Sequence, residues 1–299
     1  MAEKKRLSYI DAAKGLAVLL VIFGHTFRES MRADFVWCDV SYVIVYRFHV
    51  SLLFLLSGLG YGLAAQRYRE QTPGEFLRRK ARSLLLPWLS YSVLMYLVFA
   101  LIWAVLPLRG MLSGSAYALI SPGRYLLDML GNENPYCFHV WYLQTLFLLT
   151  AAVYFCDRLL SPRASRAVRI TAALIPLLYE LFCHGWVWTG KAFMQKAVFF
   201  LVGTLLPERV IREHSRAFAA AGIGCGALTV LLIYSPFDFD PYAARLTGIP
   251  TFYLENAAVL GLCLGITAFM ALLCRRAEQR GTELRLARFG RQTLPYYLY

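Results

Sequence analysis

Residues 43–65 read VIVYRFHVSLLFLLSGLGYGLAA, a run that is apolar around the whole helix circumference rather than along one stripe. A soluble helix shows a polar face opposite its apolar stripe. A helix that crosses the bilayer core instead needs about 20 consecutive, mostly apolar residues. The complete chain fits the second case, because 59% of its 299 residues are hydrophobic and only 16% are charged. The sequence therefore predicts an all-α, polytopic bundle of transmembrane helices.

Further apolar runs along the chain predict about eight full spans and a partial ninth. Spans 5 and 6 are short, and the ninth run stops at Tyr299 before it is long enough to cross. The predicted spans are residues 7–27, 43–65, 84–106, 140–156, 170–183, 192–206, 218–234 and 256–274, with the ninth starting near Phe289.

The distribution of Lys and Arg predicts the orientation of these spans. If the N-terminus is cytoplasmic, the inner segments carry 21 of the 31 Lys and Arg residues and the outer loops carry 6. An excess of cations in cytoplasmic loops is the usual topology signal of membrane proteins. The net charge of +13 is therefore assigned to topology, and nucleic acid is not expected as a partner.

The first span carries three ionisable residues, Asp11, Lys14 and His25. Ionisable side chains are costly inside a membrane and are functional candidates for that reason. Lys14 and His25 are eleven residues apart, so they lie on one helix face with about 16 Å between them along the axis. Asp11 is placed to pair with Lys14 one turn away. The alternative is that Asp11 and Lys14 snorkel at the inner interface and His25 sits at the outer edge.

The second and fourth predicted spans supply further candidates. Arg47 and His49 open the second span at a depth comparable with His25, and Arg47 is either a ligand-binding cation or an outer anchor. Ser57 precedes Gly58, a pair that allows close approach of another helix. Trp141 begins the fourth span and belongs either to a binding site or to the aromatic belt.

Four cations lie between Arg78 and Arg82 in a predicted cytoplasmic loop. Arg79 and Arg82 would suit a phosphorylated ligand, which guanidinium groups bind in bidentate fashion. The same cations would also anchor a helix to anionic lipid. Weaker candidates, for which a purely structural role is favoured, include Glu180, His184 and Lys196.

Several of these stretches, taken in order, resemble the membrane acyltransferase 3 family of bacterial O-acyltransferases, and the fucose 4-O-acetylase-like branch in particular. The matching stretches are Arg6 to Gly15, Lys14 through His25 as an Arg/Lys-x10-His motif, Phe48 to Gly58, Arg79 to Arg82 as an RxxR motif followed by Leu84 to Pro87, Trp141 to Leu143, and Phe289 to Tyr299. The family continues beyond the position where this chain stops. The resemblance therefore predicts a single acyltransferase domain over residues 1–299 that is incomplete at its C-terminus.

The resemblance implies about ten spans, acetyl-CoA or another acyl-CoA as cytoplasmic co-substrate, and an acceptor hydroxyl on a cell-surface carbohydrate or glycolipid. It implies that Lys14 and His25 are essential, and that Arg79 and Arg82 assist donor binding. We expect His25 to act as general base or acyl carrier, with Arg47 or His49 stabilising the oxyanion.

No metal is expected, and the expected location is the bacterial inner membrane, in contact with the lipid bilayer. The oligomeric state stays open. The alternative function is a transporter or flippase for a small polar solute or a lipid-linked sugar, with Asp11, Lys14, Glu180 and His184 forming a proton pathway.

Overall fold

The computed structural model describes residues 7–105, 119–131, 134–137, 140–174, 190–233 and 248–292. Within these ranges the chain forms helices joined by short connections and contains no strand. The predicted all-α class is therefore confirmed for the described residues. The weaker candidates Glu180 and His184, and the end of the chain from residue 293, lie outside them.

Thirteen α-helices are described and are numbered here in chain order. They are α1 Ser8–Thr26, α2 Glu29–Asp34, α3 Val36–Arg69, α4 Pro73–Lys80, α5 Leu86–Ala104, α6 Pro122–Leu130, α7 Trp141–Leu159, α8 Pro162–Ala173, α9 Gly190–Leu205, α10 Glu208–Glu213, α11 Ser215–Ile233, α12 Gly248–Gln279 and α13 Arg285–Gly290. A π-helical segment, Ala81–Leu85, joins α4 to α5.

Five helical segments of the described chain are long and apolar enough to cross a membrane: Ser8–Thr26, Val36–Arg69, Pro73–Ala104, Ser215–Leu232 and Leu254–Gln279. The segment Lys196–Leu205 is apolar but shorter. Most of the predicted fifth span, residues 175–183, lies outside the described ranges. The predicted number of spans and their orientation therefore stay predictions.

The predicted outer loop at residues 28–42 is largely helical. It forms α2 and the first two turns of α3. Arg32 donates to Asp39 at 3.0 Å and its guanidinium stacks over the Tyr42 ring at 3.8 Å. Arg32 and Asp39 therefore compensate each other, and α3 is 34 residues long, from Val36 to Arg69.

Contacts between helix termini define a basic end of the bundle. Arg158 at the end of α7 donates to the Arg69 carbonyl at the end of α3, at 2.9 Å. Arg275 near the end of α12 donates to the Arg212 carbonyl of α10 at 2.6 Å, and Ser8 at the start of α1 donates to Glu278 at 3.0 Å. We call this the basic end, and the other, where α1 ends at Thr26 and α3 begins at Val36, the opposite end.

Helix α3 lies at the centre of the bundle. It packs against α1, α7, α9 and α12, and its Leu52, Phe54, Leu55 and Leu56 are fully buried. By contrast, α5 and α11 leave large apolar side chains exposed, including Leu101 and Ile223. In a bilayer those faces lie against lipid, because no hydrophobic cost attaches to apolar side chains there.

Candidate active site

His25 lies in the last turn of α1, at the opposite end of the bundle. Its Nδ1 atom is hydrogen-bonded to the hydroxyl of Tyr46 on α3 at 3.2 Å, and the two rings meet edge to face. Gly24 makes this approach feasible, since a Cβ at that position would lie 2.9 Å from the Tyr46 ring. His25 is exposed, so it can meet a substrate from that end.

His49 extends the contact of His25 and Tyr46 along α3. Its Nδ1 lies 2.6 Å from the Val45 carbonyl oxygen, and its ring packs edge to face against Tyr46 with centroids 5.1 Å apart. A carbonyl only accepts, so Nδ1 donates and the neutral ring keeps Nε2 as an acceptor. This geometry favours a proton-accepting role for His49 over the predicted role as an oxyanion donor. We call His25, Tyr46 and His49 the histidine row.

Asp11 and Lys14 lie on α1 nearer to the basic end. Helix α1 is continuous, so Lys14 and His25 are separated by about 16 Å along its axis. Asp11 is buried, Lys14 is partly buried, and both interact with neighbouring residues. Asp11 also lines a pocket of about 210 Å³ that Ser8, Glu278 and Arg291 share at the basic end. The structure therefore separates these two residues from the histidine row.

Arg47 forms an ion pair with Glu255 of α12, with 2.6 Å between Nη1 and Oε1. Both side chains are partly exposed. The carboxylate compensates the guanidinium charge, which weakens the predicted role of Arg47 as an oxyanion-stabilising cation. The pair instead ties the start of α3 to α12.

A second polar contact on α3 was not predicted as a site. Lys196 of α9 donates to Ser51 at 3.1 Å between Nζ and Oγ, and Ser51 is 1% exposed. The sequence did contain a signal, because Ser51 precedes Gly58 by seven residues and Lys196 precedes Gly203 by the same interval. Seven residues return to the same helix face. Since Gly58 and Gly203 pack against each other, the two polar residues meet two turns away.

Ser57 and Trp141 occupy the contact between α3 and α7. The Ser57 hydroxyl is hydrogen-bonded to the Tyr142 hydroxyl at 3.1 Å, and Trp141 packs near Phe54 with ring centroids 6.1 Å apart. Ser57 is eleven residues beyond Tyr46, or about 16 Å along α3. The structure therefore does not bring Ser57 to the histidine row.

Cations gather around one tyrosine at the basic end. The charged groups of Arg67, Arg79 and Lys80 lie 5.6, 5.1 and 4.9 Å from the Tyr68 ring centroid, and Lys80 donates to the Tyr68 hydroxyl at 3.3 Å. In the described part of the chain none of these three cations forms an ion pair. We call Arg67, Tyr68, Arg79 and Lys80 the tyrosine–cation cluster.

Local sequence explains how α4 presents the tyrosine–cation cluster. Thr72 and Glu75 form a capping box and Pro73 occupies the first turn, which starts the helix at a defined residue. Phe76 is fully buried and stacks on Tyr154 of α7 with centroids 3.9 Å apart. The anchored helix places Arg79 and Lys80 over Tyr68, whereas Arg82 lies exposed in the π-helical segment.

The described residues contain no group of three or more potential metal ligands among His, Cys, Asp and Glu. The site geometry therefore consists of a histidine row at one end and a cation cluster at the other. The first can exchange protons with a hydroxyl, and the second can bind an anion.

Comparison with known proteins identifies the family of the chain. No curated protein matches it, and no solved structure does. The family profile described as an acyltransferase domain matches residues 7–299, nearly the whole chain. This match covers both the histidine row and the tyrosine–cation cluster, and the chain belongs to the membrane acyltransferase 3 family.

Proposed function

We propose that this membrane acyltransferase moves an acyl group, most simply acetyl, from acyl-CoA at the basic end to an acceptor hydroxyl at the opposite end. The observation that carries the proposal is the separation of two chemistries within one helix bundle. Cations that form no ion pair within the described chain surround Tyr68 at the basic end, and His25 is held by Tyr46 at the other. Acyl transfer between a phosphorylated donor and a polar acceptor needs both.

The tyrosine–cation cluster is the proposed donor site. Coenzyme A carries several phosphate charges, which Arg79 and Lys80 would neutralise while Arg82 extends the cationic surface towards solvent. Burial of Phe76 against Tyr154 fixes α4, so the cations are held in place before the donor arrives.

The histidine row is the proposed acceptor side. His25 accepts the proton of the acceptor hydroxyl while its oxygen attacks the thioester carbonyl. The new C–O bond forms, the C–S bond breaks, and the departing thiolate takes up a proton to leave as free thiol. Tyr46 orients the His25 ring, and the acceptor-type Nε2 of His49 supports proton movement on the same side.

The membrane orientation and the acceptor class belong to the same proposal. The excess of Arg at the basic end supports its placement in the cytoplasm, where acyl-CoA is made. The exposed position of His25 supports an acceptor that approaches from the outer side, such as a carbohydrate or glycolipid. A bacterial inner membrane satisfies both conditions.

The test uses thiol release from acetyl-CoA in sealed membrane vesicles that contain the protein. We expect inverted vesicles, which expose the cytoplasmic face, to release thiol, and right-side-out vesicles to release none. His25→Ala should reduce turnover by about 10² to 10⁴-fold, the usual contribution of a general base. His214→Ala is the matched control, because His214 is exposed and is bonded to its own helix at Val210.

Equal turnover in His25→Ala and wild type would remove His25 from the mechanism. Counterflow of a polar solute without thiol release, in the same vesicles, would favour the transporter alternative instead.

A further inference from the structure

The proposed mechanism assigns no role to Lys196, a cation on α9. Its Nζ atom donates to Ser51 at 3.1 Å and lies 5.7 Å from the Phe199 ring centroid. Its neighbours come from three helices: Ser51 from α3, Phe199 from α9 and Cys263 from α12, whose buried thiol lies within electrostatic range. No carboxylate of the described chain forms an ion pair with it.

An ammonium group inside a membrane bundle without a carboxylate partner is costly. Glu255, a carboxylate within electrostatic range of Lys196, forms an ion pair with Arg47 at 2.6 Å. Because that pair is close to neutral, it does not compensate the lysine charge. A hydroxyl and an aromatic ring satisfy only part of the ammonium's three donors. Lys196 is therefore placed to accept a partner that carries negative charge.

We infer that Lys196, oriented by Ser51, binds the thioester carbonyl oxygen and stabilises the oxyanion that forms when the acceptor hydroxyl attacks. This inference rests on the proposed acyl transfer and replaces Arg47 in the predicted oxyanion role. Donors that meet negative charge only as it develops contribute most to catalysis of this type. The arrangement explains why a cation without a carboxylate occupies the bundle interior.

The position of Lys196 along the bundle fits this order of events. Ser51 lies five residues beyond Tyr46 on α3, or about 7.5 Å nearer to the basic end. A thioester that comes from the basic end would thus meet Lys196 before it reaches the level of His25. The His49 ring lies within electrostatic range of both Lys196 and His25. Lys196 as a residue is partly buried, whereas Ser51 is buried.

In the reaction, the acceptor oxygen adds to the carbonyl carbon and its proton passes to His25. The carbonyl electron pair moves onto the oxygen that Lys196 holds. Collapse of this intermediate reforms the carbonyl and expels the thiolate, which is protonated to the free thiol. Lys196 donates hydrogen bonds throughout and keeps its own protons.

The experiment compares Lys196→Met with wild type in inverted vesicles, using acetyl-CoA as the donor. Methionine keeps the length of the side chain and removes its charge. We expect kcat to fall about 10² to 10³-fold, as for loss of an oxyanion donor, with KM for acetyl-CoA within about threefold of wild type. Ser51→Ala, which keeps the charge but removes its anchor, should give a smaller loss of kcat. Arg163→Met is the control for removal of a cation, because Arg163 is exposed on α8.

Three further outcomes are decisive. Unchanged kcat in Lys196→Met, with active wild type, would overturn this inference and leave the proposed function standing. Wild type without acyl transfer would overturn both. If Lys196→Met does not fold, Lys196→Gln decides the point. It removes the charge and keeps a polar side chain, so reduced kcat with normal binding of acetyl-CoA supports the inference and wild-type kcat contradicts it.

Discussion

Replacement of Gly58 by alanine should separate the two helices that carry Ser51 and Lys196. A Cβ at Gly58 would overlap the Phe200 carbonyl oxygen of α9 and would lie 2.9 Å from the Phe200 carbonyl carbon and 3.1 Å from the Gly203 Cα. These are backbone atoms, so no side chain can move aside to make room. Glycine at this crossing allows the close helix contact that membrane proteins commonly use.

The required movement can be worked from these distances. Ordinary contact begins at 3.4 Å, so the 2.9 Å approach to the carbonyl carbon demands at least 0.5 Å of separation. If α3 and α9 part by that amount, the 3.1 Å bond between Lys196 and Ser51 lengthens to about 3.6 Å, beyond hydrogen-bond range. Forced overpacking costs about 1–3 kcal/mol, partly offset by about 1 kcal/mol from the better helix propensity of alanine.

Gly60→Ala is the matched control on the same helix. A Cβ there meets nothing within 4 Å, so only the propensity gain of about 1 kcal/mol applies. The propensity gain is common to both variants, so we expect Gly58→Ala to be less stable than Gly60→Ala by the overpacking cost of about 1–3 kcal/mol, or roughly 5- to 150-fold in the unfolding equilibrium constant. Reversible unfolding by titration with a denaturing detergent, followed by tryptophan fluorescence, measures the difference. Thiol release should also fall in Gly58→Ala alone.

Equal stability and equal turnover of the two alanine variants would refute this reasoning. It would mean that α3 and α9 do not meet at Gly58 and Gly203, and the contact between Ser51 and Lys196 would lose its structural basis.

Two further predictions concern the basic end. The Asp157 side chain is 3% exposed and forms an ion pair with Arg169 at 3.3 Å. It also accepts hydrogen bonds from Ser165 at 2.5 Å and from Tyr61 at 3.2 Å. Asp157→Asn removes one partner of this buried pair, so it should lower the free energy of unfolding by about 3 kcal/mol. Asp128→Asn, which breaks a pair with the exposed Arg124 one turn away on α6, should cost no more than about 0.5 kcal/mol, and thermal unfolding in detergent would show whether the two differ. For the proposed donor site, Arg79→Gln should raise the Kd for acetyl-CoA about tenfold, as measured by equilibrium dialysis. The control Arg163→Gln, at an exposed position, should bind acetyl-CoA as wild type does. Equal Kd values for Arg79→Gln and wild type would exclude the tyrosine–cation cluster as the donor site.

The helical character of the chain could be predicted because it depends on local properties. Long apolar runs such as that after Arg47 satisfy their backbone hydrogen bonds within one helix, and that is what a membrane requires. The placement of Lys14 and His25 on one continuous helix follows from spacing alone, and the structure confirms the helix. The family, too, is confirmed, because its motifs are local stretches that occur in a fixed order.

Side-chain partners could not be predicted, because they come from distant parts of the chain. Lys196 and Ser51 are separated by 145 positions, and their equal spacing from Gly203 and Gly58 indicates the contact only once those two glycines are known to pack together. The sequence predicted Arg47 as a cation that could bind a ligand, but in the structure it forms an ion pair with Glu255 of α12. Tyr46 was not among the predicted site residues, although it contacts both histidines of the opposite end.

The sequence by itself determined that this protein is a bundle of membrane helices with a cation and a histidine on its first helix. Hydropathy and helical periodicity act over a few turns, so they can be read without knowledge of the fold. Only the tertiary structure decided which charges are compensated and which are not. That distinction depends on distances of a few ångströms between helices, because a hydrogen bond needs a short distance and a defined angle and the energy of an ion pair falls as the charges separate. Arg47 has a carboxylate partner, whereas Lys196 donates to a hydroxyl and forms no ion pair within the described chain.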